Sequence, residues 1–294
     1  MRFKCGFVSI IGRPNVGKST LLNKMLDEKI TIVSNKPNTT RTNIKGVKTG
    51  ENYQIILIDT PGIHNAKDKI NRLMVQNALD SLDMVDIVYF VVEPGELIGK
   101  ETLFILEVLK KYQGKKYLLI NKIDKSTKSK AIITANKIFK YLEFDYVLPV
   151  SALKGINIDK LIDLTIRDLP ENYKIFDNDY ITDIPEKFLI AEFVREQIFK
   201  LLKDEVPYDT VVECELVEDK SSDLLYTSCS IIISRDSQKA ILLGKHGRTI
   251  KEIGKRAREN LEKFFGVKVY LDLWVKVVNN WQEKDEYLKI QRLL

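Results

Sequence analysis

Residues 7–20 read Phe7-Val8-Ser9-Ile10-Ile11-Gly12-Arg13-Pro14-Asn15-Val16-Gly17-Lys18-Ser19-Thr20, an apolar strand running into a glycine-bounded loop and then a helical pattern over 19–26. The loop is G-x-x-x-x-G-K-S with a strand before it and a helix after it, the setting in which that spacing binds phosphate. Gly12 and Gly17 let backbone N–H groups curl around the phosphates, and the helix N-terminus adds its positive dipole end. Lys18 supplies a point charge to the β- and γ-phosphates, and the Ser19 hydroxyl supplies a ligand for Mg²⁺. Arg13, Pro14, Asn15, Val16 and Thr20 complete the predicted contact set of this loop.

Working outward, strand patterns over 44–49, 54–58, 87–92, 116–120 and 146–150 alternate with helical ones over 72–82, 101–111, 130–141 and 158–169. Such alternation predicts an α/β fold, a P-loop NTPase G domain with a doubly wound, mainly parallel sheet. Motifs fall at the carboxyl ends of the strands, where such sheets bind ligands. After 54–58 comes Asp59-Thr60-Pro61-Gly62-Ile63. There Asp59 can reach Mg²⁺ through water and the Gly62 N–H can sense a γ-phosphate. After 116–120 comes Asn121-Lys122-Ile123-Asp124. A carboxylate here accepts from guanine N1–H and the 2-amino group, donors that adenine lacks, so the motif selects GTP. After 146–150 comes Ser151-Ala152-Leu153, where a backbone N–H can meet the guanine carbonyl. The polar stretch Ser34-Asn35-Lys36-Pro37-Asn38-Thr39-Thr40-Arg41-Thr42 is of the kind ordered by a γ-phosphate and its metal. Thr40 is the expected third metal ligand beside Ser19 and Asp59, with Thr39 as the alternative. Asn35 and Lys36 read as solvated loop.

The proline-bounded, acidic stretch 171–185 has no periodicity and reads as a linker between a G domain at 1–170 and a second domain at 186–294. In the second, a helix over 187–203 precedes strands 211–217 and 226–234 joined by a turn over 220–223. Helices 237–243 and 249–265, a strand from 268 and a helical tail from 280 follow, an α+β pattern. Between the two middle helices lies Gly244-Lys245-His246-Gly247. A lone G-x-x-G is a common turn. This one opens a helix with Arg248, Lys251, Lys255 and Arg258 stepping by three and four along one face. Ile250, Ile253, Ala257, Leu261 and Phe264 read as the opposite, apolar stripe. A glycine turn beside a basic face lets a phosphate backbone come close, as in KH modules that bind single-stranded RNA. His246 reads as an RNA contact and His64 as a switch-loop residue. Trp274 and Trp281 read as packing residues rather than stacking platforms.

Composition narrows the setting. The 294 residues carry 47 basic and 41 acidic side chains, a formal charge of +6, too mild to decide anything without its location. Three cysteines, Cys5, Cys214 and Cys229, are too few for a disulfide framework and lack metal spacing, which points to a reducing cytoplasm. No apolar run approaches the roughly 18–20 residues of a spanning helix, no cleavage-site pattern marks a signal peptide, and no internal repeat is visible. Peripheral membrane contact is left open, and a monomer is expected.

These motifs together resemble the Era family, bacterial GTPases of the Era/TrmE type with a C-terminal KH domain. The resemblance spans essentially the whole chain. It rests on residues 12–19, Pro37-Asn38-Thr39-Thr40-Arg41, Asp59-Thr60-Pro61-Gly62-Ile63-His64, 121–124, 151–153, 244–247 and Leu273-Trp274-Val275-Lys276. It implies a type II KH fold, binding near the 3′ end of 16S rRNA and a role in assembling the 30S ribosomal subunit. Asn38 stands where the family usually has Gln, and Glu93 where it usually has Asp. Small signalling GTPases carry a water-orienting Gln where this chain has Ile63, so intrinsic turnover is expected to be slow. No catalytic side chain is assigned. Asn15, Lys18 and Gly62 are the expected phosphate and transition-state contacts, with Mg²⁺ and a candidate K⁺. Two other readings are a GTPase acting in RNA modification and an RNA-binding protein whose GTP site is structural. Residues 186–294 hold no cluster of Cys, His or paired carboxylates that would serve the first.

Overall fold

A computed structural model describes residues 2–34, 36–66 and 68–294. Asn35, read above as a solvated loop position, lies outside the described residues. By its contacts the chain forms two units, one of residues 2–31 with Thr40–Asp183 and one of Ile32–Thr39 with Ile184–Leu294.

The first unit is a six-stranded sheet in the order β2-β3-β1-β4-β5-β6. Its strands are β1 Lys4–Gly12, β2 Ile44–Gly50, β3 Tyr53–Asp59, β4 Ile87–Val92, β5 Lys115–Ile120 and β6 Tyr146–Pro149. The antiparallel pair is β2 with β3; the other neighbours run parallel. Helices α1 Lys18–Leu26, α2 Lys69–Asp80, α3 Lys100–Lys111, α4 Lys128–Phe139 and α5 Ile158–Asp168 connect them. Sequence and position agree in β4: all six residues of Ile87-Val88-Tyr89-Phe90-Val91-Val92 are buried. A strand covered on both faces needs a continuous apolar run instead of alternation. Val88, Phe90 and Val92 share one core cluster with Leu118, Ile105 and Leu109. Helix α2 begins at Lys69, three residues ahead of its apolar period, because the Asp68 side chain accepts from Asn71 N at 2.8 Å and caps it.

The stretch after α5 is ordered against this sheet. Val47 N donates to Ile181 O at 2.7 Å, and the Gln54 side chain donates to Phe176 O while accepting from Ile175 N and Phe176 N, each at 2.9 Å. Phe176 stacks on Tyr180 with centroids 4.5 Å apart, over the Cys5, Val47 and Ile56 cluster.

The second unit begins with α6 Glu186–Leu201, followed by β7 Thr210–Ser221, β8 Leu224–Ile233, α7 Asp236–Leu243, α8 Arg248–Phe265, β9 Lys268–Val277 and α9 Asp285–Ile290. The sheet order is β7-β8-β9, with β7–β8 antiparallel and β8–β9 parallel. The turn between β7 and β8 is tighter than the sequence suggested, with Ser222 and Asp223 alone between the strands. Helix α6 is buried from Leu189 to Phe199, its polar residues included. Apart from Arg195 Nη1 they find partners: Arg195 Nε and Nη2 donate to Glu192 at 2.6 Å, Nη2 also donates to Thr39 O at 2.6 Å, and Glu196 Oε1 accepts from Val33 N at 3.0 Å. Residues 32–34 and 36–39 are thus a cover for α6, and Lys36, read as solvated, donates from Nζ to Leu202 O. Trp281 is fully buried and donates from Nε1 to Asp209 O at 3.3 Å. Trp274 departs from the packing expectation, with 61% of its surface exposed. On β9 Val269 is buried while Tyr270, Trp274 and Lys276 are exposed. Strand alternation puts these three on the face away from Val269, Leu271 and Leu273, so Trp274 follows the open side.

Candidate nucleotide site and RNA groove

The nucleotide site is assembled from four strand ends. β1 ends at Gly12, where a Cβ would lie 2.4 Å from Val91 O, and α1 begins after Gly17, whose φ is +94°. A Cβ on Gly17 would meet Asn121 Nδ2 at 2.4 Å. Both positions need glycine, the first for closeness to β4 and the second also for its backbone. Between them Asn15 has φ +66° and is exposed. Lys18 is buried and donates from Nζ to Gly12 O at 3.2 Å and Arg13 O at 3.0 Å. Burial lowers its pKa to about 8, against the opposing pull of Asp59 and Glu96.

Ser19 from α1, Thr40 from the polar stretch and Asp59 from the end of β3 converge. Ser19 Oγ donates to Asp59 Oδ2 at 2.6 Å and lies 2.8 Å from Thr40 Oγ1, which is 3.3 Å from the same carboxylate oxygen. Thr39 goes elsewhere, its hydroxyl donating to Lys36 O at 2.9 Å. Asp59 Oδ1 is buried with no hydrogen-bond partner among the described residues. Burial raises the Asp59 pKa to about 6, although Lys18 and the hydroxyls of Ser19 and Thr40 pull it down. Two hydroxyls and a carboxylate with one orphaned oxygen are the hard oxygen donors that Mg²⁺ takes, so these residues fit that ion.

The Asp59-Thr60-Pro61-Gly62 turn meets the phosphate loop directly. A Cβ on Gly62 would sit 2.7 Å from Pro14, and Ile63 N donates to Gly12 O at 3.1 Å. Thr60 turns inward, its hydroxyl donating to Ile10 O at 2.7 Å. Ile63 is buried in the core, and its aliphatic side chain has no group with which to orient a water. The His64 ring bridges Gly62 O at 2.7 Å and the Asn71 side chain at 2.8 Å.

At the other end Asn121 acts as a bracket. Its Nδ2 donates to Val16 O at 2.9 Å and its Oδ1 accepts from Ala152 N at 3.0 Å, joining the phosphate loop to the Ser151-Ala152-Leu153 turn. Ile123 N donates to Val150 O at 3.3 Å, and Ser151 Oγ donates to Asp124 Oδ1 at 2.5 Å, fixing the carboxylate. Lys122 Nζ donates to Asn15 O at 2.5 Å and pairs with Glu93. Leu153 is 64% exposed.

In the second unit, Gly244 and Gly247 have φ +69° and +71°, and His246 between them +54°. A Cβ on Gly244 would strike Thr249 Oγ1 at 2.1 Å, whereas at Gly247 nothing lies within 4 Å. The first glycine is there for packing and the second faces open space. Beyond it a groove of about 380 Å³ runs between α8 and β9, lined by Ile250, Lys251, Lys255, Arg258, Tyr270 and Leu273 among others. Three of the four basic residues predicted on one face stand in its wall. Lys245, His246 and Arg248 lie at the exposed turn and helix start. Ile250 joins the groove lining instead of the buried stripe, which is made by Ile253, Ala257 and Leu261.

Comparison with known proteins fits this geometry. The 50S ribosome-binding GTPase family matches residues 7–122 and the KH domain family matches 205–282. The GTPase Era of Clostridium botulinum (strain Eklund 17B / Type B) is 45% identical, covering 98% of this chain and 97% of its own. That of Trichlorobacter lovleyi is 44% identical over the same shares. The chain belongs to the Era family of GTPases. Two solved Era structures, each 39% identical and covering 99% of both chains, superpose with TM-scores of 0.93 and 0.94. One holds MgGDPNP and nucleotides 1506–1542 of 16S ribosomal RNA; the other, from Aquifex aeolicus, is a variant bound to GDP and AlF4⁻.

Some contacts of this Era-family chain carry no sequence signal. Arg13 Nε pairs with Glu101 Oε2 at 2.8 Å, while Glu101 Oε1 accepts from Asn65 N at 3.3 Å, so α3 holds both the phosphate loop and the segment after Gly62. Glu93, where the Era family usually has Asp, reaches Lys122. Sequence spacing gave no reason to connect any of these pairs.

Proposed function

We propose that this GTPase is a switch whose G domain, residues 1–170, is joined through 171–185 to a KH domain at 186–294 that binds single-stranded RNA near the 3′ end of 16S rRNA during 30S subunit assembly. The observation that carries the RNA reading is Gly247, in a left-handed conformation with open space before it, at the head of a groove walled by Lys251, Lys255 and Arg258. The Era–16S rRNA complex supports the choice of RNA. We further propose a cytoplasmic monomer in contact with the 30S subunit; no helix among the described residues is long and apolar enough to cross a membrane. Peripheral attachment to the inner face of the membrane would need another determinant.

In the G domain the residues at 12–20, 59–63, 121–124 and 151–153 cradle GTP. Ser19, Thr40 and Asp59 would hold Mg²⁺, which neutralises charge between the β- and γ-phosphates. Lys18 and the Gly62 N–H meet the γ-phosphate, and Asp124 reads guanine. With Ile63 buried, a backbone N–H and charges already in place must position water, and Asn15, in the phosphate loop, is the side chain proposed to help hold K⁺ there. Hydrolysis is therefore expected to run several-fold faster in KCl than in NaCl, and Asn15→Ala to remove the difference. Phosphate release in the two salts measures this, and equal rates for the unmodified protein would take the cation out of the mechanism.

Lys251→Ala and Arg258→Ala remove groove-wall charges that meet phosphate and not base. Each is expected to weaken RNA binding without altering sequence preference and to flatten the salt dependence by about 0.7 for the one phosphate it leaves unneutralised. Anisotropy with the 3′-end RNA and a scrambled one, at several salt concentrations, tests both this and the RNA reading itself. Equal binding of the two RNAs would argue against it.

A further inference from the structure

The groove does not end at the aromatic residue in its wall. Tyr270 lines it and is 55% exposed, and four residues on along the same strand Trp274 is 61% exposed. Residues i and i+4 of a strand share a face, and at about 3.3 Å per residue these two lie roughly 13 Å apart. Among the described residues strand β9 is the edge of its sheet, paired with β8 alone, so the groove, which Leu271 and Leu273 line from the opposite face, borders this face across a free edge at Tyr270. Tyr226 on β8 stacks on Tyr270, with centroids 5.5 Å apart and rings inclined by 17°, and Lys220 Nζ sits 5.5 Å over the Tyr226 ring.

We propose that Tyr270 and Trp274 form a base-stacking platform that extends the RNA site beyond the groove. This rests on the RNA reading given above. KH grooves clamp about four nucleotides. A strand leaving this one over the edge of β9 meets Tyr270 first and Trp274 two or three nucleotides later. Every base has a π-face, so stacking needs no particular sequence, and side chains on an open sheet face are a known way to display it.

The acidic groups on this face are engaged locally. Asp272 accepts from Tyr226 Oη at 3.0 Å, and Glu215 accepts from Ser230 Oγ at 2.6 Å and Lys276 Nζ at 2.5 Å. Glu218, opposite Tyr226 in register, pairs with Lys220 at 2.7 Å, and burial raises the pKa of Glu213. Uncharged bases face the sheet while phosphates point outward, and Lys268 stands at the start of β9 to meet them.

The chain has two tryptophans, and with Trp281 fully buried Trp274 is the accessible reporter. The experiment uses the full chain and two single-stranded RNAs copying the 3′ end of 16S rRNA, one of about four nucleotides and one about twice as long. Both binding, read by anisotropy, and tryptophan emission are followed. The longer RNA is expected to quench emission and the shorter one to leave it unchanged. Trp274→Phe should abolish the quench with little loss of affinity. Trp274→Ala should weaken the longer RNA about tenfold and spare the shorter. Binding of the longer RNA with unchanged emission, or with the same affinity in Trp274→Ala, would overturn the platform and leave the face to another occupant such as a basic protein segment. Failure of both RNAs to bind the unmodified protein would overturn the RNA reading, and the platform with it.

Discussion

Asp124→Asn is expected to weaken GTP binding by at least about a hundredfold and to create binding of XTP, because a site built to accept two guanine donors rejects a base that does not match it. The structure gives this expectation its geometry. Ser151 holds one Asp124 oxygen at 2.5 Å, and Asn121, which shares the motif, is occupied in tying Val16 to Ala152. Base choice therefore falls on Asp124, while Asn121 keeps the loops together. An amide at 124 offers a donor to the C2 carbonyl of xanthine and loses the charge that met guanine. Competition binding with GTP, XTP and ATP measures the switch. Unchanged GTP affinity in Asp124→Asn would withdraw the assignment.

Gly247→Asp is expected to reduce RNA affinity by about thirtyfold or more, since it places a carboxylate where a phosphate of the clamped strand must approach. GTP affinity should stay unchanged, because position 247 belongs to the second unit and the phosphate loop to the first. With φ at +71° any side chain there carries some backbone strain, and Asn and Asp tolerate that region better than most residues. Gly247→Asn, of matching shape and no charge, separates the two effects: a loss from charge spares most binding in the Asn variant. Anisotropy with 3′-end RNA, alongside nucleotide binding, reads both. RNA binding by Gly247→Asp equal to that of the unmodified protein would reduce the basic helix to a solvated face.

Much of the nucleotide site was legible because its chemistry is local in sequence. Gly12, Gly17, Lys18 and Ser19 sit within one loop, and each of the other motifs follows directly on an apolar strand whose end the fold fixes. Choosing between Thr39 and Thr40 was beyond the sequence, since adjacent hydroxyls look alike until their partners are known. One bonds back to Lys36 O and the other reaches Ser19 and Asp59. The stretch after α5 was opaque for a similar reason. What orders it is Gln54, more than a hundred residues away, through backbone groups that no composition reveals. Trp274 was misread because a large aromatic residue in an apolar strand usually packs inward. The strand register and the free edge of β9 decide its direction, and neither is written in residues 268–277 alone.

On the function proposed above, one chain joins a GTP site to a groove that reads a particular end of ribosomal RNA. Crosslinking the full protein to RNA in living cells, followed by sequencing of the bound fragments, tests that pairing most directly. Fragments should concentrate at the 3′ end of 16S rRNA for the unmodified protein and disappear from there for Gly247→Asp. Fragments scattered over unrelated RNAs, or a 3′-end peak that persists in Gly247→Asp, would contradict it.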